Sequence, residues 1–308
     1  MTCAGNPINT GTGNKFQRET DYRGAGDFPL EFERFYNSDA STYSERFGTS
    51  RVWRYSYERS IAGTGSSSLM VAYRADGKAY NFSQIGGDWR PVVDVNLKLV
   101  RTSSPMGWQL TTEDGAVETY DAEGRLLTLQ SRTGATQALS YTATQLLSAV
   151  THSNGRALAL SYDSAGRLAT LQDPAGGVYV YGYNATTGTL DSVTYPDQNV
   201  RHYLYNETEQ VAADLPRALT GIIDENGNRY ATWQYDAQGR AISSQHAGGA
   251  EHVAVAYGAN SSTVTDARGT SRTTQLQTIQ GVVKSAGSNQ PAGSGCPASV
   301  SHLSYDAN

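Results

Sequence analysis

The chain has 308 residues, a formal net charge of −5, 32 glycines, 20 tyrosines and 38% hydrophobic residues. No apolar run approaches the ~20 residues of a membrane-spanning helix. The basic residues are scattered, so there is no stripe to track a phosphate backbone and nucleic acid is not an expected partner. Turn residues recur throughout and no 3.6-residue apolar stripe is sustained, which leaves many short strands and an all-β fold.

In chain order, the opening Met1-Thr2-Cys3-Ala4-Gly5 carries neither a basic region nor an apolar stretch and is not a signal peptide. Cys3 and Cys296 stand near opposite ends; a disulfide between them requires an oxidising compartment, and two separate thiols are the simpler reading. Residues 28–36 alternate, with Phe28, Leu30 and Phe32 on one face, and residues 51–57 alternate likewise. Residues 1–60 therefore read as a β-rich cap preceding a repeat array.

The array, over residues 61–283, is set by its tyrosines. Tyr120, Tyr141, Tyr162 and Tyr183 follow one another every 21 residues, Tyr205 comes after 22, and Tyr257 lies 22 beyond Tyr235. Three phrases repeat: Tyr120-Asp121-Ala122-Glu123-Gly124-Arg125, Tyr162-Asp163-Ser164-Ala165-Gly166-Arg167 and Tyr235-Asp236-Ala237-Gln238-Gly239-Arg240. Each encodes a turn. Tyr ends a strand, Asp accepts from backbone N–H groups ahead of it, Gly supplies a positive φ, and Arg opens the next strand with its head in water. Looser copies stand at Tyr73, Tyr183 and Tyr305-Asp306; the last stops before its glycine, as expected of a segment of something longer.

Between phrases lie second turns. Taking Asn154-Gly155 as a two-residue hairpin loop pairs Thr151 with Leu158, Ala149 with Leu160 and Leu147 with Tyr162, in strands about 8 residues long. A lone hairpin is marginal in water, so the hairpins are expected to join into one long sheet. Residues 284–308 read as a Gly/Ser/Pro loop and the start of a truncated repeat.

Chemistry is sparse. The aspartates Asp121, Asp163 and Asp236 occupy equivalent turns and are not expected to converge as an acid–base pair. The five histidines include no ligand-spaced pair, Asp173-Pro174 sits in a turn slot, and neither a serine elbow nor a phosphate-binding loop occurs. No catalytic residue, metal site or cofactor is expected. Tyr179, Tyr181 and Tyr183 share one strand face, with Val178 and Val180 on the other; such rows usually pack across strands, and a ligand-facing role toward glycans is the lesser alternative.

The repeated Tyr-Asp-x-x-Gly-Arg phrases resemble the YD repeats of RHS (rearrangement hot spot) proteins, relatives of teneurins and of toxin-complex C subunits. The opening from Gly5-Asn6-Pro7 through Thr20-Asp21-Tyr22 is similar to the domain that precedes those repeats in bacterial members, and Asp224 to Asp236 to a typical repeat run. The resemblance covers essentially the whole chain. It implies a strip of antiparallel hairpins that coils into a shell or barrel-like spiral. It also implies a secreted or surface-exposed bacterial protein whose shell encloses a C-terminal toxin freed by self-cleavage. Expected partners are the remainder of the same chain, the enclosed effector and, through exposed strand edges, a second copy. The alternative is a surface scaffold that binds glycan or protein.

Overall fold

In the computed structural model, every Tyr-Asp-x-x-Gly-Arg phrase folds into one turn. Gly166 N–H donates to the Asp163 carbonyl (3.0 Å) and Asp163 N–H to the Arg167 carbonyl (2.9 Å). Asp163 Oδ1 accepts from the backbone N–H groups of Ala165 and Arg167, both at 2.9 Å. Gly166 takes φ 75°, a left-handed position open to glycine without a Cβ penalty. The result is a type I turn extended by one αL residue, the three-residue hairpin loop. The structure describes residues 3–39, 52–63, 68–92, 95–279, 282–293 and 297–306. Cys3 is exposed; Cys296, and with it any Cys3–Cys296 pairing, lies outside the described residues.

The turn at Asn154-Gly155 has the same three-residue form, which corrects the two-residue loop. Gly155, at φ 88°, donates to the His152 carbonyl, and His152 N–H donates to that of Arg156. The extra residue shifts the register by one, so that Val150 faces Leu158 and Thr151 faces Ala157. A one-residue slip exchanges the faces: Val150 and Leu158 are fully buried, while Thr151 is exposed. The strands are also shorter than expected, six residues in Leu147–His152 and Ala157–Tyr162. The wider turn consumes residues at one end. A β-bulge consumes them at the other, recurring just before Tyr120, Tyr141, Tyr162, Tyr183, Tyr205 and Tyr235. A bulge sharpens twist and re-aims the side chain that follows it.

Twenty-three strands, from Ser60–Gly63 to Ser299–His302, pair consecutively in one antiparallel meander. Among the described residues the first strand does not pair with the last. Ser60–Gly63 instead folds back onto the Asp121 turn, where Ile61 N–H donates to the Gly124 carbonyl (2.9 Å) and Ser60 bridges Arg125. The sheet is thus a coil with two open ends. Residues 284–290, expected in a loop, belong to strand Val282–Gln290, paired on both sides. Their small polar side chains read as linker by composition, but neighbouring strands decide β-structure more than intrinsic preference does.

A separate three-stranded sheet, Phe16–Arg23, Glu31–Asn37 and Trp53–Tyr55, precedes the meander, with a two-residue pairing of Cys3–Ala4 and Ile8–Asn9 before it. Phe28 lies ahead of the middle strand with φ 53°, whereas Phe32 is fully buried within it. One hydrophobic cluster joins the two sheets: Phe32, Tyr36, Trp53 and Tyr55 of the first with Leu126, Val150, Leu171, Val193 and Ile222 of the second. Burying such a face is what stabilises a strip whose single hairpins are marginal.

Candidate functional site

The strip's own code comes first. Five repeat tyrosines reach back one hairpin: the hydroxyls of Tyr141, Tyr162, Tyr183, Tyr235 and Tyr257 donate to the carbonyls of Leu126, Leu147, Leu168, Leu219 and Ala241, at 2.6–2.9 Å. Arginine closes the same joint. Arg125, Arg167 and Arg240 each fold back onto Asp121, Asp163 and Asp236, with Nε–Oδ2 distances of 2.7–2.8 Å. Their guanidinium groups lie 4.7, 4.5 and 4.6 Å from the rings of Tyr141, Tyr183 and Tyr257 in the next repeat. The arginine heads expected in water are therefore engaged with their own Asp and with the following Tyr, where a charge over a π-face is favourable.

The phrases at Tyr141 and Tyr183 are among those that depart from this code. In the Tyr141 repeat, Leu146 stands where the arginine would be, and in the Tyr183 repeat Thr189 does. The next tyrosines in line, Tyr162 and Tyr205, meet the N-terminal sheet: Tyr55 and Tyr162 hydroxyls lie 3.0 Å apart, and Trp53 Nε1–H donates to the Tyr205 hydroxyl at 2.7 Å. Further contacts run along the same row. Tyr57 hydroxyl donates to Gln137 Oε1 (3.1 Å), Tyr181 to Asp21 Oδ2 (2.8 Å), and Leu219 N–H to the Tyr36 hydroxyl (2.8 Å). At the far end Trp233 Nε1–H donates to the Asn6 carbonyl (2.8 Å). A single short sheet thus engages several successive hairpins.

Buried charges bind the N-terminal segment to the strip. Arg34 pairs bidentately with Asp21 (2.7 and 2.8 Å), with side-chain exposures of 4% and 0%, and also donates to the Tyr203 hydroxyl. Burial alone would ease the proton off Arg34, but Asp21, Tyr203 and Tyr181 outweigh it and hold the guanidinium charged. Glu118 accepts from Arg59 and Arg74 and from the Tyr120 hydroxyl. Burial would raise its pKa, yet the two arginines win and bring it down to about 2. Lys15 is fully buried, with Nζ donating to the Asn6 carbonyl (2.7 Å) and Gln17 Oε1 (2.8 Å), 4.2 Å from the Trp233 ring. Removing one partner of such a pair leaves a buried charge uncompensated.

The residues singled out from sequence fall on this joint. Tyr120 and Tyr235 are buried and Tyr162 half-buried; Asp121, Asp163 and Asp236 sit in separate turns, each paired with its own arginine. Tyr179 and Tyr181 are buried and Tyr183 half-buried, packed in the cluster that includes the N-terminal sheet. Tyr179 meets Tyr195 edge-on at 6.0 Å. Among the described residues no group of three or more His, Cys, Asp or Glu is placed to hold a metal ion. Asp21, Arg34, Trp53, Arg74 and Glu118 escaped the sequence reading. The available signal was charge at strand positions whose neighbours two residues away are apolar, as in Phe32-Glu33-Arg34-Phe35.

Residues 54–284 match the family model of the teneurin YD-shell. The chain belongs to the YD-shell family. An overlapping match over residues 5–82 is to a domain of unknown function, DUF6531. No curated protein matches the chain. Among solved structures, the crystal structure of TcdB2–TccC3–Cdc42 is similar at 13% identity and TM-score 0.37, over 91% of this chain and 16% of that one. TcdB2–TccC3–TEV is similar at 13% identity and TM-score 0.37, over 92% and 19%. The Tc holotoxin pore of Photorhabdus luminescens is similar at 12% identity and TM-score 0.35, over 91% and 15%. The chain spans less than a fifth of the length of these structures. Within the YD-shell family this chain is a shell-forming scaffold, and no helix among its described residues is long and apolar enough to cross a membrane.

Proposed function

We propose that this chain is a non-catalytic wall segment of an RHS-repeat shell that encapsulates a C-terminal effector domain, in a bacterial protein that acts after export. Residues 1–60 form the cap, 61–283 the repeat strip, and 284–308 the lead into further repeats. The observation that carries this reading is the continuous meander with its tyrosine face already engaged by the chain's own N-terminal sheet through Asp21, Arg34, Tyr36 and Trp53. A sheet that pairs strand to strand leaves donors and acceptors unmet only at its two ends. One end lies against the Asp121 turn; the other, Ser299–His302, is exposed along its length and is suited to receive the next strand of the same chain or of a second copy.

The test is the mass of the full-length gene product under denaturing conditions after native gel filtration. Two chains that co-elute natively and separate on denaturation support a shell that retains its cleaved effector. A single uncut chain, open to added protease throughout, would overturn encapsulation.

A further inference from the structure

The pairing of Arg34 with Asp21 leaves one guanidinium nitrogen over. Nε and Nη2 of Arg34 donate to the two Asp21 carboxylate oxygens, and Nη2 also to the Tyr203 hydroxyl. Nη1 is buried and has no hydrogen-bond partner among the described residues. The rings of Trp53, Tyr203 and Tyr181 surround the group, with centroids 5.1, 5.2 and 5.8 Å from Cζ. A ring face accepts an N–H only weakly. A buried donor on a charged group is thus left short of a partner, which is costlier than the same lack on a neutral one.

Arg34 also lines a cavity of about 50 Å³ at the seam between the N-terminal sheet and the strip. Such a space holds one or two water-sized bodies. Arg54, itself buried, joins Arg34 from the N-terminal sheet, and Arg167 enters from the strip with 22% of its side chain exposed. Buried Leu168, Tyr181 and Leu190 close the strip side. No carboxylate lines this cavity, whereas four larger ones each carry at least two. Charge therefore favours an anion here, and size a monatomic one.

We propose that this cavity binds a single chloride ion, held by Arg34 Nη1 and by the arginines that line the cavity with it. Chloride only accepts, and a guanidinium only donates, so the two match without any further partner. A water molecule would accept from Nη1 but would need acceptors for its own hydrogens. The hydroxyls of the lining tyrosines are already engaged: Tyr55 with Tyr162, Tyr181 with Asp21 and Tyr183 with the Leu168 carbonyl. A cation would face three guanidinium groups, and a tetrahedral oxyanion exceeds the space. The ion ties the strand Glu31–Asn37 to the Arg167 turn, and its site is independent of what the shell encloses.

Thermal unfolding of the intact chain, with sodium chloride replacing sodium gluconate at a constant ionic strength of about 0.1 M, tests the proposal. Gluconate is too bulky to enter. An ion that binds only the folded chain is expected to raise the midpoint by about 2–4 °C across that exchange. Bromide is expected to act likewise, and its anomalous scattering in crystals of the chain to place one peak beside Arg34 Nη1. Arg34→Lys, which keeps a positive charge for Asp21 and removes Nη1, is expected to abolish the chloride response. Arg167→Gln, at the partly exposed rim, is expected to reduce it to less than half, which keeps the test decisive if Arg34→Lys fails to fold. A midpoint indifferent to chloride, a response unaltered in the variants that fold, or bromide found only elsewhere on the molecule would overturn the proposal.

Discussion

The strands between Leu126 and His246 and those after Ser261 are built alike yet buried differently. Both stretches use the three-residue Gly turn: Gly166 bonds back to Asp163, and Gly269 to Asp266. Between them the tyrosine row changes. In the first stretch Leu126, Val150, Leu158, Leu171, Val193, Ile222 and Trp233 are each at or below 1% exposed or part of the same buried cluster, beneath the N-terminal sheet. In the second, strand Ser271–Ile279 has no fully buried residue and Ser299–His302 is exposed throughout. The turn code is thus a local property that forms hairpins without help. Burial is a long-range property, conferred by a segment 80 to 227 residues away in sequence.

Trp53→Ala gives the largest break in that comparison. Trp53 packs 5.4 Å from Tyr36 and 5.2 Å from Tyr203 and donates to Tyr205, so its loss should destabilise the chain by about 3–5 kcal/mol in a denaturant titration. Leu276→Ala, in the uncovered stretch, should fall well short of that. Equal effects would show that the N-terminal sheet is not what buries the row.

Glycines sharpen the same contrast. A Cβ at Gly124 would overlap the Ile61 carbonyl oxygen, whereas one at Gly166 meets nothing. Gly124→Ala should therefore destabilise by about 3 kcal/mol or more, through the fold-back of Ser60–Gly63, and Gly166→Ala by only about 1 kcal/mol, from its positive φ. Hydrogen exchange at Ile61 separates the two causes.

Glu118 is held by Arg59 and Arg74, and its pKa of about 2 lies below the ordinary 4.5. A depressed carboxylate adds stability that is complete above the unfolded value and is lost as pH falls from about 4.5 toward 2. Some 3 kcal/mol is at stake over that window. Thermal midpoints of the native chain should fall there more steeply than those of Glu118→Gln, and parallel curves would sink the assignment. The smallest effect is a gain: Gln145→Gly relieves a strained left-handed residue and should stabilise by about 0.5–1 kcal/mol.

The period, the turn residues and the all-β class were legible because they are local: Tyr, Asp, Gly and Arg act within six consecutive positions. The register at Asn154-Gly155 was misread because two- and three-residue loops share that dipeptide; a two-residue loop would hold Asn154 as well as Gly155 at positive φ, and here only Gly155 takes it. The arginine heads were misplaced because their partner, a ring one repeat ahead, is invisible to a single-strand reading. The joint between the sheets was hidden most deeply. Asp21 and Tyr181 stand 160 residues apart, and nothing in either strand announces the other.

The N-terminal segment touches the strip at fixed stations, Gln137, Tyr162, Tyr181, Tyr205, Leu219 and Trp233. Such a vernier constrains how the gene can lengthen. One 21-residue unit duplicated between Gln137 and Trp233 would move every later station a hairpin out of step with Tyr55, Asp21, Trp53, Tyr36 and Asn6. The same unit added beyond Tyr257 would disturb none of them. The wall is free to grow at its far end and closed to insertion at its start.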